Sequence, residues 1–155
     1  MRGDGLAARS PSRRRSRLSG QSVIVVDASV LAVALGDDGP DGDLARDRLW
    51  GEDLAAPELI DLEVTSVLRG RARAGALNDR RAALALDDLR DLPLRRAPHL
   101  PLLPRCWELR DTLTTYDAAY VALAEALGAT FVTGDRRIGI APGLRCPVDL
   151  FKPAS

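Results

Sequence analysis

Ser22-Val-Ile-Val-Val-Asp27 and Ala129-Thr-Phe-Val-Thr-Gly-Asp135 decide the fold. Each is a continuous run of β-branched or aromatic residues that closes on an acid. An unbroken apolar run, rather than an alternating one, suits a strand buried on both faces, as in a parallel sheet. Helical patterns fill the chain between the two runs. Strands alternating with helices imply a parallel sheet with helices on its faces. Ligands of such sheets bind in the crevice beyond the carboxyl ends of the strands. Asp27 and Asp135 follow the two strongest strands directly, so both belong at that crevice if the strands are neighbours.

Working outward, residues 36–43 (Gly-Asp-Asp-Gly-Pro-Asp-Gly-Asp) read as a loop, with Asp43 capping a helix over 44–50. Residues 54–56 suit a short strand. Pro57 is placed to open a helix in its favoured first-turn position, running to Arg73 and stopped by Gly75. Asn78 caps a helix over 79–91, and residues 92–96 suit an edge strand, where proline is tolerated. A helix is expected over 102–113. Another, over 116–127, is capped by Thr114 or Thr115 and ended by Gly128. Residues 148–151 offer a last strand.

The chain has 155 residues, 46% of them hydrophobic, which suits one domain with a sizeable core. Residues 1–22 hold six arginines against the single acid Asp4, a net +5. The rest carries 16 basic and 21 acidic side chains, a net −5, which argues against generic nucleic-acid binding through bulk charge. Residues 1–21, rich in Arg, Ser and Gly, read as a disordered basic extension, and 22–155 as the folded domain. Cys106 and Cys146 stand alone without a metal-binding spacing, as free thiols of a reducing cytoplasm do. No apolar stretch approaches the roughly 20 residues that span a bilayer, and the Arg- and Ser-rich residues 1–21 lack the apolar core expected of a secretory signal.

Two further acids stand where an isolated charge is costly. On a helix of about 100° per residue, Leu59, Val67 and Ile60 fall at about 0°, 80° and 100°, and Glu63 at about 40°, within their apolar face. Asp61, Thr65 and Arg69 fall opposite, so Asp61 reads as an ordinary solvated charge. Asp117 has Tyr120, Val121 and Ala124 at i+3, i+4 and i+7 and begins another inward stripe, although a first-turn acid also serves the helix dipole.

A buried carboxylate must be neutralised, paired or bound to a metal. Asp27, Glu63, Asp117 and Asp135 have few local cations. The sole histidine, His99, lies in a proline-rich stretch, which disfavours a histidine-based triad. Carboxylate oxygens alone suit Mg²⁺ or Mn²⁺ rather than zinc. Acid clusters of this kind drive phosphodiester hydrolysis by an activated water. Ser29, Thr115 and Thr133 are candidates to orient the carboxylates through their hydroxyls. A phosphoacceptor domain needs a lysine near its acids, and the one lysine is Lys152 at the far end. A haloacid-type phosphotransferase needs a second acid two residues after Asp27, where Ser29 stands.

Four stretches resemble, in order, the acidic motifs of PIN-domain ribonucleases, most closely the VapC toxins of bacterial toxin–antitoxin pairs. They are Val25-Val-Asp-Ala-Ser-Val30, Pro57-Glu-Leu-Ile-Asp-Leu-Glu-Val-Thr-Ser-Val67, Thr115-Tyr-Asp-Ala-Ala-Tyr-Val-Ala-Leu-Ala124 and Phe131-Val-Thr-Gly-Asp135. The resemblance covers roughly residues 23–151, and residues 1–21 lie outside its pattern. It implies a three-layer α/β/α sandwich with a central, mainly parallel sheet. It also implies a Mg²⁺- or Mn²⁺-dependent endoribonuclease, the toxin of a toxin–antitoxin pair, inhibited by a VapB-type antitoxin whose tail crosses the acidic crevice. Asp27, Glu63 and Asp117 match the family's core acids. Asp135 matches a fourth, more variable acid, and its expected role is to hold a second ion or to orient the attacking water. The arginines Arg69 and Arg136 are expected to contact RNA phosphates. Apolar helix positions Leu59, Leu68, Leu84 and Leu86, with the resemblance, suggest a homodimer. The alternative is a catalytically inactive acidic scaffold of this fold that binds protein or RNA.

Overall fold

Five strands form: β1 (Val23–Val26), β2 (Asp53–Pro57), β3 (Arg95–Ala97), β4 (Thr130–Thr133) and β5 (Val148–Leu150). In this computed structural model, which describes residues 22–154, they make one sheet of order β3-β2-β1-β4-β5, every pairing parallel. The basic extension expected over 1–21 lies outside the described residues. The two apolar runs that end in Asp27 and Asp135 are the central neighbours, with Val25 opposite Phe131 and Val26 opposite Val132. All four of those side chains are fully buried, as strands covered on both faces require.

The helices are α1 (Ala28–Gly36), α2 (Pro40–Leu49), α3 (Ile60–Arg73), α4 (Asp79–Asp91), α5 (Leu103–Glu108), α6 (Thr115–Leu127) and α7 (Arg136–Gly139). One layer groups α1 with α2, α3 and α4. On the other face α6 lies against β1, β2 and β4, with α5 beside it. The result is the three-layer α/β/α sandwich. Right-handed crossovers explain the layering. From β1 the chain steps through β2 to β3 at one edge, then returns past β1 to β4, so its helices change face. The direction of winding reverses between β1 and β4, which makes their carboxyl ends the switch point of the sheet.

Local signals behave as expected at several ends. Asn78 Oδ1 accepts from the Arg81 backbone N–H at 2.8 Å and starts α4. Gly128, with φ of +60°, ends α6 in the left-handed conformation that a side chain disfavours.

Elsewhere the structure departs from the sequence reading. Helix α1 was not foreseen, because its residues are apolar all round and buried on several sides, leaving no amphipathic period. The expected loop over 36–43 is mostly helical: Gly36 ends α1 and Pro40 opens α2, its fixed φ suited to a first turn. Pro57 ends β2 instead of opening α3. Glu58 N–H bonds the Ala97 carbonyl on the β3 side, so the missing Pro57 donor faces the side where β1 has already turned into α1. The helix expected over 102–113 shortens to a 3₁₀ turn at Leu100–Leu102 and then α5. Leu68, expected on a dimer surface, is buried in the core. Among the described residues no helix is long and apolar enough to cross a membrane.

Candidate active site

The carboxyl ends of β1 and β4 are knitted by hydroxyl groups. Asp27 follows β1 and is 9% exposed, and although it occupies the N-cap of α1 its side chain makes no capping hydrogen bond. Its Oδ2 instead accepts from Ser29 Oγ at 3.0 Å and from Thr133 Oγ1 at 2.6 Å. The same hydroxyls accept in turn from the turn after β4: the Asp135 N–H donates to Thr133 Oγ1 at 3.1 Å and the Gly134 N–H to Ser29 Oγ at 3.2 Å. Charge-assisted bonds of this length fix a carboxylate firmly. One oxygen of Asp27 is thus occupied, and Oδ1 accepts no hydrogen bond among the described residues.

Glu63 enters from α3, on the border of the buried stripe made by Ile60, Val64 and Leu68. Its Oε1 accepts from the Tyr120 hydroxyl at 2.7 Å. Burial pushes the Glu63 carboxyl above its ordinary value. The Tyr120 hydrogen bond opposes this, and the charges of Asp27 and Asp117 raise it further. Asp117 enters from the first turn of α6, where its backbone N–H donates to Thr114 Oγ1 at 3.2 Å. Burial again raises its carboxyl first, Thr114 lowers it, and Asp27 and Asp135 add like-charge repulsion that Arg137 partly offsets. Asp117 therefore serves both readings given by the sequence: it belongs to the capping turn, and it faces the other acids.

Asp135 differs in kind. Its Oδ1 caps α7 through the Arg137 N–H at 2.9 Å, and its Oδ2 pairs with Arg137 Nη2 at 2.8 Å. That guanidinium holds its carboxyl below the ordinary value. No ion pair among the described residues involves Asp27, Glu63 or Asp117.

The structure brings the four expected acids to one end of the sheet, and Ser29 and Thr133 make hydroxyl contacts of the expected kind. Thr115 is exposed and bonds no carboxylate, because the cap falls one residue earlier, on Thr114. Asp61 is not an ordinary solvated charge: its Oδ2 pairs with Arg96 Nε at 2.7 Å, while its Oδ1 is buried without a partner. Arg136 is exposed beside Asp135. Arg69 is exposed too, but sits about 120° around α3 from Glu63 and so not on the same face of that helix. Sequence reasoning missed Tyr120, whose place in an apolar stripe reads as plain core.

A shallow depression of about 470 Å³ is lined by Asp27, Ala28, Ser29, Glu63, Ser66 and Val67. Its donors are oxygens alone, suited to a hard divalent cation. Asp27 and Asp117 are near enough to raise the Glu63 carboxyl, and Asp27 and Asp135 to raise that of Asp117, yet among the described residues no three acids stand within reach of one shared ligand sphere. The chemistry of the donor set fits such an ion: half-buried negative charge with no arginine paired to it, and one oxygen of each of two acids left over.

The chain is similar to known proteins along most of its length. Residues 24–143 match the family model described as PIN domain. The chain is 43% identical over 129 residues to VapC ribonuclease Mb0985 of Mycobacterium bovis, covering 81% of this chain and 96% of that one. Among solved structures it is similar to PAE2754 from Pyrobaculum aerophilum, with a TM-score of 0.63, 24% identity, and coverage of 90% of this chain and 93% of that one. It is also similar to a chain of VapBC2 from Rickettsia felis, solved bound to a promoter DNA fragment, with a TM-score of 0.61, 13% identity, and coverage of 84% and 99%.

Proposed function

The chain belongs to the PIN domain family, among its VapC ribonucleases, and on that premise we propose that it is a divalent-metal-dependent endoribonuclease, the toxin of a toxin–antitoxin pair. The observation that carries this reading is the trio Asp27, Glu63 and Asp117, half-buried or buried, mutually repelling, and without an ion-pair partner. As they stand no three acids among the described residues share one ligand sphere, so these three would hold Mg²⁺ or Mn²⁺ only after their side chains draw together; the ion when bound would lower the pKa of water and offset phosphate charge. Hydrolysis joins the water oxygen to phosphorus and breaks one P–O bond, the departing oxygen taking a proton. Ser29 and Thr133 keep Asp27 oriented. Asp135, already compensated by Arg137, orients the attacking water. The reading is tested by incubating purified protein with RNA, with and without Mg²⁺, and sequencing the ends. Discrete internal cuts that need the metal are expected. Metal binding without cleavage would instead identify an inactive scaffold.

The raised carboxyl of Glu63 has a pH consequence of definite sign. In metal-free folded protein at neutral pH its charge is less favourable than in the unfolded chain. Glu63→Gln removes that penalty, and Gln still accepts from Tyr120, so the variant unfolds at higher urea than the parent in EDTA. As pH falls from neutral into the carboxylate range, the folded carboxyl takes up its proton before the unfolded one, and the parent regains the difference. Metal affinity moves the opposite way, since it needs the ionised form. Urea midpoints that differ equally at neutral pH and in the carboxylate range exclude this account.

Arg136 and Arg137 on α7 flank the acids and suit RNA phosphates. Arg136→Gln is expected to weaken RNA binding and to flatten the slope of log affinity against log salt by roughly 0.7. An unchanged slope removes Arg136 from the interface.

The VapBC complex among the similar structures supports an antitoxin partner. An apolar groove of about 620 Å³, lined by Leu31, Leu35, Leu49, Trp50 and Leu92 among others, runs beside α1 and offers such a partner a second foothold. Exposed Leu62 and Leu84 suit a homodimer. The two thiols are free, in keeping with a cytoplasmic protein.

A further inference from the structure

Tyr120 is 1% exposed, stacked on Phe131 with ring centroids 5.6 Å apart, and gives its hydroxyl to Glu63 Oε1 at 2.7 Å. It stands one helical turn after Asp117, so α6 supplies one acid of the site and, three residues on, the donor that grips another acid from α3. The arrangement repeats what happens at Asp27, where two hydroxyls converge on Oδ2 and leave Oδ1 over. A glutamate has one more rotatable bond than an aspartate and comes here from a different layer of the sandwich, so it has more freedom to lose. A phenol restrains it well, because the ring is locked by packing and so fixes the direction of the O–H.

We propose that Tyr120 is a positioning residue that holds Glu63 by Oε1 and so presents Oε2 to a divalent cation. The proposal rests on the metal-dependent reading above. Tyr120→Phe removes one oxygen and keeps the ring stacked on Phe131. Mn²⁺ dissociation constants are measured by counting free Mn²⁺ with electron paramagnetic resonance, without RNA, for the parent and the variant. The expected result is an affinity weaker by roughly 10–100-fold, the range for loss of a ligand's supporting partner. The Mn²⁺ concentration that half-saturates cleavage rises by the same factor, while RNA affinity in EDTA stays unchanged. A purely structural role lowers the urea midpoint but leaves the Mn²⁺ constant alone, and that outcome overturns the proposal while the nuclease reading stands. A parent protein that binds no Mn²⁺ overturns both.

Discussion

Asp27→Asn abolishes RNA cleavage while the protein stays folded. The neutral amide still offers an oxygen to Ser29 and Thr133, so the hydroxyl network at the ends of β1 and β4 keeps an acceptor. What disappears is the charge nearest the centre of the site, the one that raises both Glu63 and Asp117. A cation held by oxygens alone depends on that charge, and its loss should exceed the roughly 100-fold that a supporting partner costs. Removing a repelling neighbour also relaxes the other two acids, so metal-free stability is unchanged or slightly higher. Single-turnover cleavage and urea unfolding on the same preparations check both halves. Activity within a few-fold of the parent would mean that hydrolysis happens elsewhere.

The second large effect is on stability. Phe131 is fully buried in β4, between Val25 of β1 and Val148 of β5 in register, and stacks on Tyr120. Phe131→Ala empties a ring-sized volume at the meeting of the sheet and α6, where close packing leaves little room to collapse. Such truncations cost about 3–5 kcal/mol, a large share of the roughly 5–15 kcal/mol that holds a domain together. Equilibrium urea unfolding should show a midpoint far below the parent's, with Phe131→Leu in between. A loss under about 1 kcal/mol would mean that α6 closes onto the sheet without the ring.

How much of this was legible beforehand depends on whether a residue's role is local. The central strands announced themselves because continuous β-branched runs have few other uses. Their terminal acids fall at one end of the sheet because β1 and β4 are adjacent. Glu63 was visible as a charge within an apolar stripe, although the stripe that is buried is Ile60, Val64 and Leu68, with Glu63 on its border. Helix α1 was hidden by its own burial, since a segment covered on several sides carries no period. Pro57 misled because proline is as compatible with the end of a strand as with the start of a helix. Asp61 and Tyr120 failed for a shared reason: their partners, Arg96 and Glu63, are 35 and 57 residues away, and no local pattern records such a meeting.

The layout of the site bears on how such proteins diversify. Asp27 and Asp117 hang on the innermost strand and on α6, the parts of a domain that open last. Arg136 and Arg137 ride on α7, a single turn at the margin. On the proposed reading the two positions are not equally free to drift: Arg136 stands clear of the acids, whereas Arg137 grips Asp135, so a lineage can rewrite the first at little expense and the second only by disturbing the cutting centre.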